Sequence, residues 1–188
     1  MHAHSRLSAF AVVAALAVSA PTASAQMSTM TVDVGGMAMF PNKDIVDNAV
    51  NSKDHTTLVA AVKAAGLVET LSGKGPFTVF APTNAAFAKL PAGTVDTLLQ
   101  PANLAKLQTV LTYHVVPGRV MAGDLVGLIR AGGGSAALTT VQGGTLTARL
   151  SGSSVVLTDA KGGTSTVTQA DVTQSNGVVH VVDSVLMP

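Results

Sequence analysis

One stretch, residues 75–91, changes its hydrophobic period partway along and constrains the fold more than any other part of the chain. Its sequence is GPFTVFAPTNAAFAKLP. The first half alternates between two faces, as a strand does. Pro82 ends that strand, because proline has no N–H to donate to a neighbouring strand. Thr83 or Asn84 then offers a side-chain oxygen that can cap a helix, so we expect a buried strand, a tight corner and a short helix.

The same stretch supplies packing groups and no reactive ones. Helix-forming residues continue to Leu90, and Pro91 ends the helix because it disfavours helical geometry at the residue before it. The residues that we expect to pack in the core are Phe77, Val79, Phe80, Phe87 and Leu90. A corner of this kind lays a helix across the end of a sheet, which favours a scaffold or interaction domain over an enzyme.

The first 25 residues are typical of a signal peptide. Residues 7–20 form a run of small apolar residues that two serines interrupt, and Ala23-Ser24-Ala25 provides the small-x-small pattern of a cleavage site. The run is shorter than the roughly 20 residues that a membrane-spanning helix needs. We therefore expect export to the periplasm or the extracellular space, with a mature chain that begins at Gln26.

Charge and cysteine content exclude several classes of function. The chain has 11 lysines and arginines and 10 acidic residues, so loss of Arg6 with the signal peptide leaves 10 of each and a neutral mature chain. Without a basic cluster, nucleic acid is not an expected partner. The absence of cysteine excludes disulfides, thiolate metal sites and thiol nucleophiles. Without disulfides, burial of apolar side chains must hold the mature chain together. No apolar run after the signal peptide is long enough to span a membrane.

Residues 26–39 are expected to form a flexible, methionine-rich arm ahead of the domain. Its methionines are Met27, Met30, Met37 and Met39. The simplest interpretation is a loosely docked arm that packs on the domain edge beside Phe40. The alternative is a Cu(I) site, because thioethers are soft ligands that suit this ion.

The order of the patterns predicts an α+β fold in one domain, residues 40–188. Helical periodicity dominates residues 42–130, with strand-like stretches at 77–82 and 112–116. The remaining strand-like stretches are 138–141, 145–150, 155–158, 164–172 and 178–186, separated by glycine-containing turn signals. Turns at this spacing favour hairpins, so we expect a helical layer packed on mainly antiparallel β-sheets.

Three segments in this order resemble the signatures of the fasciclin domain family. They are residues 75–91, the Tyr-His segment at 111–116 (LTYHVV), and residues 176–182 (NGVVHVV). The resemblance covers residues 40–188 and implies a compact wedge in which sheets and helices share one core. The signature residues, which we expect to be structural, are Phe77, Val79, Phe80, Pro82, Thr83, Asn84, Phe87, Leu90, Gly177 and His180.

The resemblance also implies a function and a set of contact residues. Family members act in cell adhesion and matrix contact, through an Asp-Ile pair before the last signature and through the Tyr-His segment. The matching residues here are Asp171 with Val172, where valine replaces isoleucine, and Tyr113 with His114. We therefore expect a monomeric, non-catalytic adhesion module without a cofactor, whose partner is a protein or polysaccharide of a cell surface, matrix or envelope.

The histidines of the mature chain have structural and functional interpretations. His180 alternates with apolar residues on a strand, which predicts a core histidine with both ring nitrogens hydrogen-bonded. We expect the same of His114, with ligand binding or a pH response as the alternative. His55 precedes a helix and is expected to be exposed. Their separation argues against a zinc site, since no pair has the spacing of ligands on one helix.

Other chemistries find little support, and one alternative function stays open. Ser184, His180 and Asp183 could be drawn as a catalytic triad, but neighbours along one strand point to opposite faces and cannot converge. Glu69 is the only glutamate, which argues against a glycosidase pair of carboxylates. The alternative to adhesion is a periplasmic protein that binds a small ligand, Cu(I) or haem through the methionine-rich arm and His114.

Overall fold

The computed structural model describes residues 31–188, and this part of the chain contains nine strands and seven α-helices. The helices are α1 (Ile45–Asn51), α2 (Thr56–Ala64), α3 (Val68–Leu71), α4 (Asn84–Ala88), α5 (Thr94–Leu99), α6 (Leu104–Tyr113) and α7 (Ala122–Ala131). The strands are β1 (Val32–Val34), β2 (Met37–Met39), β3 (Phe77–Pro82), β4 (Val115–Pro117), β5 (Ser135–Thr139), β6 (Thr145–Ser151), β7 (Ser154–Thr158), β8 (Thr164–Gln174) and β9 (Gly177–Val182). None of the described helices is long and apolar enough to cross a membrane.

Seven of these strands form one sheet in the order β4-β3-β9-β8-β7-β6-β5. All neighbours in it are antiparallel except β3 and β9, which run parallel. The sheet curls until its ends approach each other, since the amide of Val141 just beyond β5 donates to the carbonyl of Val115 in β4 at 2.7 Å. The α+β prediction with a mainly antiparallel sheet is confirmed, and the sheet is nearly barrel-like. The wedge shape stays a prediction.

The first and last signature segments lie side by side in this sheet, as β3 and β9. Their parallel register places Phe77 opposite Gly177 and Phe80 opposite His180. A Cβ atom on Gly177 would lie 2.0 Å from the carbonyl oxygen of Phe77, so only glycine allows the two backbones to approach this closely. The rings of Phe80 and His180 stack at 5.5 Å between centroids. The two segments therefore share one core, although about a hundred positions separate them in the sequence.

The two polar residues of the corner after β3 bond to the N-termini of different helices. Thr83 caps α4, because its hydroxyl accepts a hydrogen bond from the amide of Ala86 at 3.2 Å. Asn84 instead reaches α2, where its Oδ1 accepts from the amide of Thr57 at 3.0 Å. Its Nδ2 donates to the carbonyl of Lys53 at 2.9 Å. One corner thus caps its own helix and fixes the start of another.

Two main apolar clusters stabilise the fold. One lies between α7 and the sheet and includes Phe80, Tyr113, Leu125, Ile129, Leu146, Leu157 and Leu186. The other joins the helices to β3 and β4 and includes Ile45, Leu58, Val62, Leu71, Val79, Phe87, Leu107 and Leu111. Phe77 and Leu90 pack against the second cluster but are only half-buried. The core is built mostly from aliphatic side chains, as the low aromatic content of 3% requires.

Within the arm predicted over residues 26–39, residues 32–39 have regular structure. These residues form the β1–β2 hairpin, whose turn residues Gly35 and Gly36 both have positive φ angles of 63° and 73°, as a tight hairpin requires. Val34 and Met39 are buried and pack with Val172 and Val181. The predicted signal peptide and residues 26–30 lie outside the described residues.

The Tyr-His segment also departs from its predicted strand. Helix α6 continues to Tyr113, and only the residues from Val115 onward are extended. The β-branched Thr112 stays helical, and its hydroxyl donates to the carbonyl of Gln108 one turn earlier at 2.7 Å. This bond to the preceding turn accommodates a residue type that otherwise disfavours helices.

Replacing Phe80 with alanine is expected to lower the free energy of unfolding by about 3–5 kcal/mol, because the ring is fully buried and stacked on His180. Equilibrium urea unfolding of the mature protein measures this loss. Phe40→Ala is the matched control, since Phe40 is 40% exposed and should cost markedly less. A loss below about 1 kcal/mol for Phe80→Ala would show that this ring is not a core group.

Candidate functional site

Tyr113, the first residue of the Tyr-His pair, is an internal connector. It is fully buried at the end of α6. Its hydroxyl donates to the carbonyl of Thr145 at 2.8 Å and accepts from the amide of Ala160 at 3.1 Å. Burial raises the pKa of Tyr113, so the hydroxyl keeps its proton. The side chain therefore links α6 to the start of β6 and to the turn after β7.

His114 is also buried, and both of its ring nitrogens have backbone partners. Nε2 accepts a hydrogen bond from the amide of Leu186 at 3.0 Å. Because that amide can only donate, Nδ1 carries the ring proton, which it donates to the carbonyl of Val110 at 2.8 Å. Burial lowers the pKa of His114 to about 4. The neutral ring ties α6 to the C-terminal segment.

His180 makes the same kind of bonds with the opposite tautomer. Its Nδ1 accepts from the amide of Asp171 at 3.3 Å, and its Nε2 donates to the carbonyl of Val120 at 2.8 Å. Burial lowers the pKa of His180, and the Val120 carbonyl and the Asp171 carboxylate offset part of this effect. The prediction of a core histidine with both nitrogens hydrogen-bonded is confirmed.

Asp171 lies in an irregular part of β8, where the pairing with β9 shifts register between Gln169 and Val172. Its φ of 59° is in the left-handed region, which aspartate tolerates better than most residues. Its Oδ1 accepts from the amide of Ala122 at 2.6 Å, at the first residue of α7. A carboxylate there is favourable, because helix N-termini carry partial positive charge. Asp171 thus joins β8, β9 and α7.

The structure places only one of the four predicted contact residues at the surface. Tyr113, His114 and Val172 are 0%, 2% and 1% exposed, so a partner could reach their side chains only if the core opened. Asp171 is half-buried. The expectation that these residues form one contact surface therefore does not fit their burial. A sequence pattern does not distinguish a tyrosine that ties three backbone segments together from one that faces a partner.

The groups considered for catalysis do not converge. Ser184 bonds to the Asp183 carboxylate at 3.2 Å, but the His180 ring bonds to Asp171 and Val120 instead. Asp183 also forms an exposed ion pair with Lys89 at 3.4 Å. Within residues 31–188, no three His, Asp or Glu side chains lie close enough together to hold a metal ion.

The alternative of a copper or haem site receives no support from the described part of the arm. The Met39 side chain is 4% exposed and packs into the core, whereas Met37 is 38% exposed. Met27 and Met30 lie outside the described residues. His114, the other residue considered, has both ring nitrogens occupied. The described part of the arm therefore presents no free pair of soft ligands together with His114.

His55 is buried, contrary to the expectation that it is exposed. It closes a short 3-10 turn, Lys53–His55, that connects α1 to α2 and directs the ring inward. Its Nδ1 lies 2.8 Å from the hydroxyl of Ser52. Hydrophobic periodicity gave no signal for this residue, because a three-residue turn is too short to show a period.

Titration of His114 should make the protein less stable as the pH falls from about 6.5 to about 4. In this window the unfolded chain binds a proton that the folded ring does not, because burial lowers the folded pKa to about 4. The free energy of unfolding then falls by about 1.4 kcal/mol per pH unit from this group, and the effect levels off below pH 4. His114→Gln should remove about one proton from that dependence in urea unfolding.

The matched control is Val110→Ala, a buried neighbour on α6. It should lower stability at every pH and leave the slope of the native protein unchanged. An unchanged slope in His114→Gln would show that this ring does not titrate between the two states.

Comparison with known proteins identifies relatives along most of the chain. Residues 53–188 match the model of the fasciclin domain. Protein sll1483 of Synechocystis is 44% identical over the whole chain and 99% of its own length. Cell surface glycolipoprotein MPB83 of Mycobacterium bovis is 36% identical over 87% of this chain and 68% of its own length. A solved FAS1 domain pair from the insect cell adhesion molecule fasciclin I has a TM-score of 0.70 at 18% identity, over 79% of this chain and 52% of that one. The chain therefore belongs to the fasciclin domain family.

Proposed function

We propose that this protein is an exported, non-catalytic adhesion module that binds a protein or polysaccharide of a cell surface, matrix or envelope. Family membership supports the proposal, since the relatives include a cell surface glycolipoprotein and the fold occurs in a cell adhesion molecule. One structural observation carries it further. The polar groups of the Tyr-His and C-terminal signature segments are engaged in internal hydrogen bonds, which leaves recognition to the outer surface.

The sequence of residues 1–25, which has the pattern of a signal peptide, supports the proposed export. The name of the mycobacterial relative places that protein at the cell surface. For this chain we propose the periplasm or the extracellular space, and a monomer that binds weakly at each site.

Asp171 is the residue that we propose for direct partner contact. It is half-buried, and its Oδ1 is engaged with α7 through the amide of Ala122. The exposed Arg119 lies on the connection that leads into α7, and its guanidinium approaches the carbonyl of Gln174 at 3.4 Å. This surface offers a carboxylate and a guanidinium, groups that hydrogen-bond to hydroxyl-rich or polar partners.

Asp171→Asn tests this proposal, because asparagine keeps an oxygen for the Ala122 amide and removes the negative charge. We expect beads coated with the mature variant to attach to envelope polysaccharide or to cells at least about fivefold less than beads with the native protein, as loss of a charged hydrogen bond of about 1–3 kcal/mol predicts. Attachment is counted at a fixed density of coating, and circular dichroism checks that the variant is folded.

Asp96→Asn, a change of an exposed aspartate on α5, is the control and should attach like the native protein. Equal attachment of Asp171→Asn and the native protein would remove Asp171 from the contact surface. Native beads that attach no better than uncoated beads would contradict the adhesion function itself.

A further inference from the structure

A largely apolar cavity of about 50 Å³ lies between α1, α2, the β1–β2 hairpin and the sheet. The buried residues that line it include Val34, Met39, Ile45, Leu58, Val79 and Val172. Its volume is several times the roughly 10–15 Å³ that a single water needs, but water stays only where polar groups can bond to it. Aliphatic walls instead gain packing contacts from an apolar occupant. The interior is therefore suited to carbon atoms.

The polar residues in the wall of this cavity are turned to other partners. His114 bonds to backbone groups through both ring nitrogens, and the amide oxygen of Gln174 accepts from the side chain of Asn48. The Nδ1 of His55 lies 2.8 Å from the hydroxyl of Ser52, and its Nε2 is fully buried. A charged or strongly polar group placed inside would therefore lose its hydration without compensation.

The cavity opens on its helical side, between α1 and α2. Val79 and Val172, which line it from the sheet, are buried. The lining residues on the two helices, Val46 and Ala49 of α1 and Val59 of α2, are only half-buried. An elongated molecule could thus enter between the helices and keep one end in water.

Lys63 of α2 supplies a positive charge at this opening. The residue lines the cavity and is nevertheless exposed, so its aliphatic stem belongs to the wall and its ammonium group reaches water. Burial lowers the pKa of both histidines in the lining, which leaves Lys63 as the one lining residue that is charged at neutral pH. No acidic residue of the described part of the chain lies within ion-pair distance of it. The opening therefore combines an apolar interior with a positive charge that has no counter-ion of its own.

We propose that this cavity binds a free, single-chain fatty acid, with its alkyl chain inside and its carboxylate at the opening beside Lys63. The orientation follows from the two environments, because the alkyl chain gains from burial and the carboxylate keeps its hydration at the opening. A cationic amphiphile is disfavoured, since its head group would lie next to the ammonium of Lys63.

This site is separate from the proposed contact residue. Val172 lines the cavity, whereas Asp171 beside it bonds to α7 and is half-buried. Fatty-acid binding and adhesion are measured by different experiments, and failure of one leaves the other standing.

The first test varies the length of the alkyl chain. The mature chain, residues 26–188, is titrated with octanoate and with decanoate below their micelle concentrations, and ¹H–¹³C NMR follows the methyl groups. We expect saturable shifts at Ile45, Leu58 and Val79 in the cavity wall, and none at Leu146, which packs in the other cluster against α7. Decanoate should bind about tenfold tighter than octanoate, because each buried methylene group tightens binding about threefold to fourfold.

The second test varies the head group at a constant chain length. Decanoate should bind about twofold to fivefold tighter than decan-1-ol, the ratio that an exposed ion pair supplies, and decylammonium should bind more weakly than both. Lys63→Met keeps an apolar stem and removes the charge, so it should bind decanoate no better than decan-1-ol. Lys106→Met, a change of an exposed lysine on α6 outside the cavity, is the control and should keep the native preference.

A third test fills the opening. Val59→Phe should weaken both decanoate and decan-1-ol, because the larger side chain occupies the space between α1 and α2. Its control Val126→Phe, at a half-buried valine on α7 outside the cavity, should bind both as the native protein does. If Val59→Phe fails to fold, the chain-length and head-group comparisons on the native protein still decide the question.

The proposal is overturned by absence of saturable binding in the native protein, by equal affinity for octanoate and decanoate, or by shifts that spare the cavity methyl groups. Equal affinity for decanoate and decan-1-ol, or a preference for decanoate that survives in Lys63→Met, would remove Lys63 from the site. A Val59→Phe variant that binds decanoate as well as the native protein would place the site elsewhere.

Discussion

The parallel pairing of β3 with β9 is the interaction on which the rest of the structure depends. It joins two strands about a hundred residues apart, and β4 extends the sheet on one side of this pair and β8 on the other. Closing so long a loop has an entropic cost, which close contact between the strands must offset. Gly177 permits that contact, because a Cβ there would collide with the carbonyl of Phe77. A one-residue slip would place a side chain at this point and turn His180 to the other face of the sheet.

Buried and half-buried polar side chains fix the arrangement of segments that the aliphatic core does not specify. With 3% aromatic residues, the core has few large shapes that fix one arrangement of helices and loops. Asn84, Tyr113, His114, Asp171 and His180 each bond to backbone groups of a different segment, and so determine how helices and termini attach to the sheet. Removing any of them leaves at least one backbone group of another segment without that partner. Residues of this kind resemble a functional site in sequence because they are polar and surrounded by apolar neighbours.

The sequence predicts those features that local periodicity and turn chemistry determine. The strand, corner and helix of residues 75–91, the mainly antiparallel sheet and the bonded core histidine at 180 all follow from spacing and turn signals. The parallel direction of β3 and β9 is a tertiary choice that neither strand encodes alone. The burial of Tyr113 is not visible in the sequence, because it depends on hydrogen-bond partners that distant turns provide. The burial of His55 is not visible either, because a three-residue turn, too short to show a hydrophobic period, determines where its ring points.

The three histidines differ in how completely backbone atoms satisfy their ring nitrogens. Two of them satisfy both ring nitrogens with backbone atoms, which is the expected state of a buried polar residue. His55 instead uses only Nδ1, against the Ser52 hydroxyl, and its Nε2 is buried near the Ala81 carbonyl without a well-formed hydrogen bond. Neighbouring residues of β8 differ in the same way, because Val172 is buried in the core while Asp171 is half-buried and bonds to α7. One irregular strand therefore contributes both to the core and to the proposed adhesion surface.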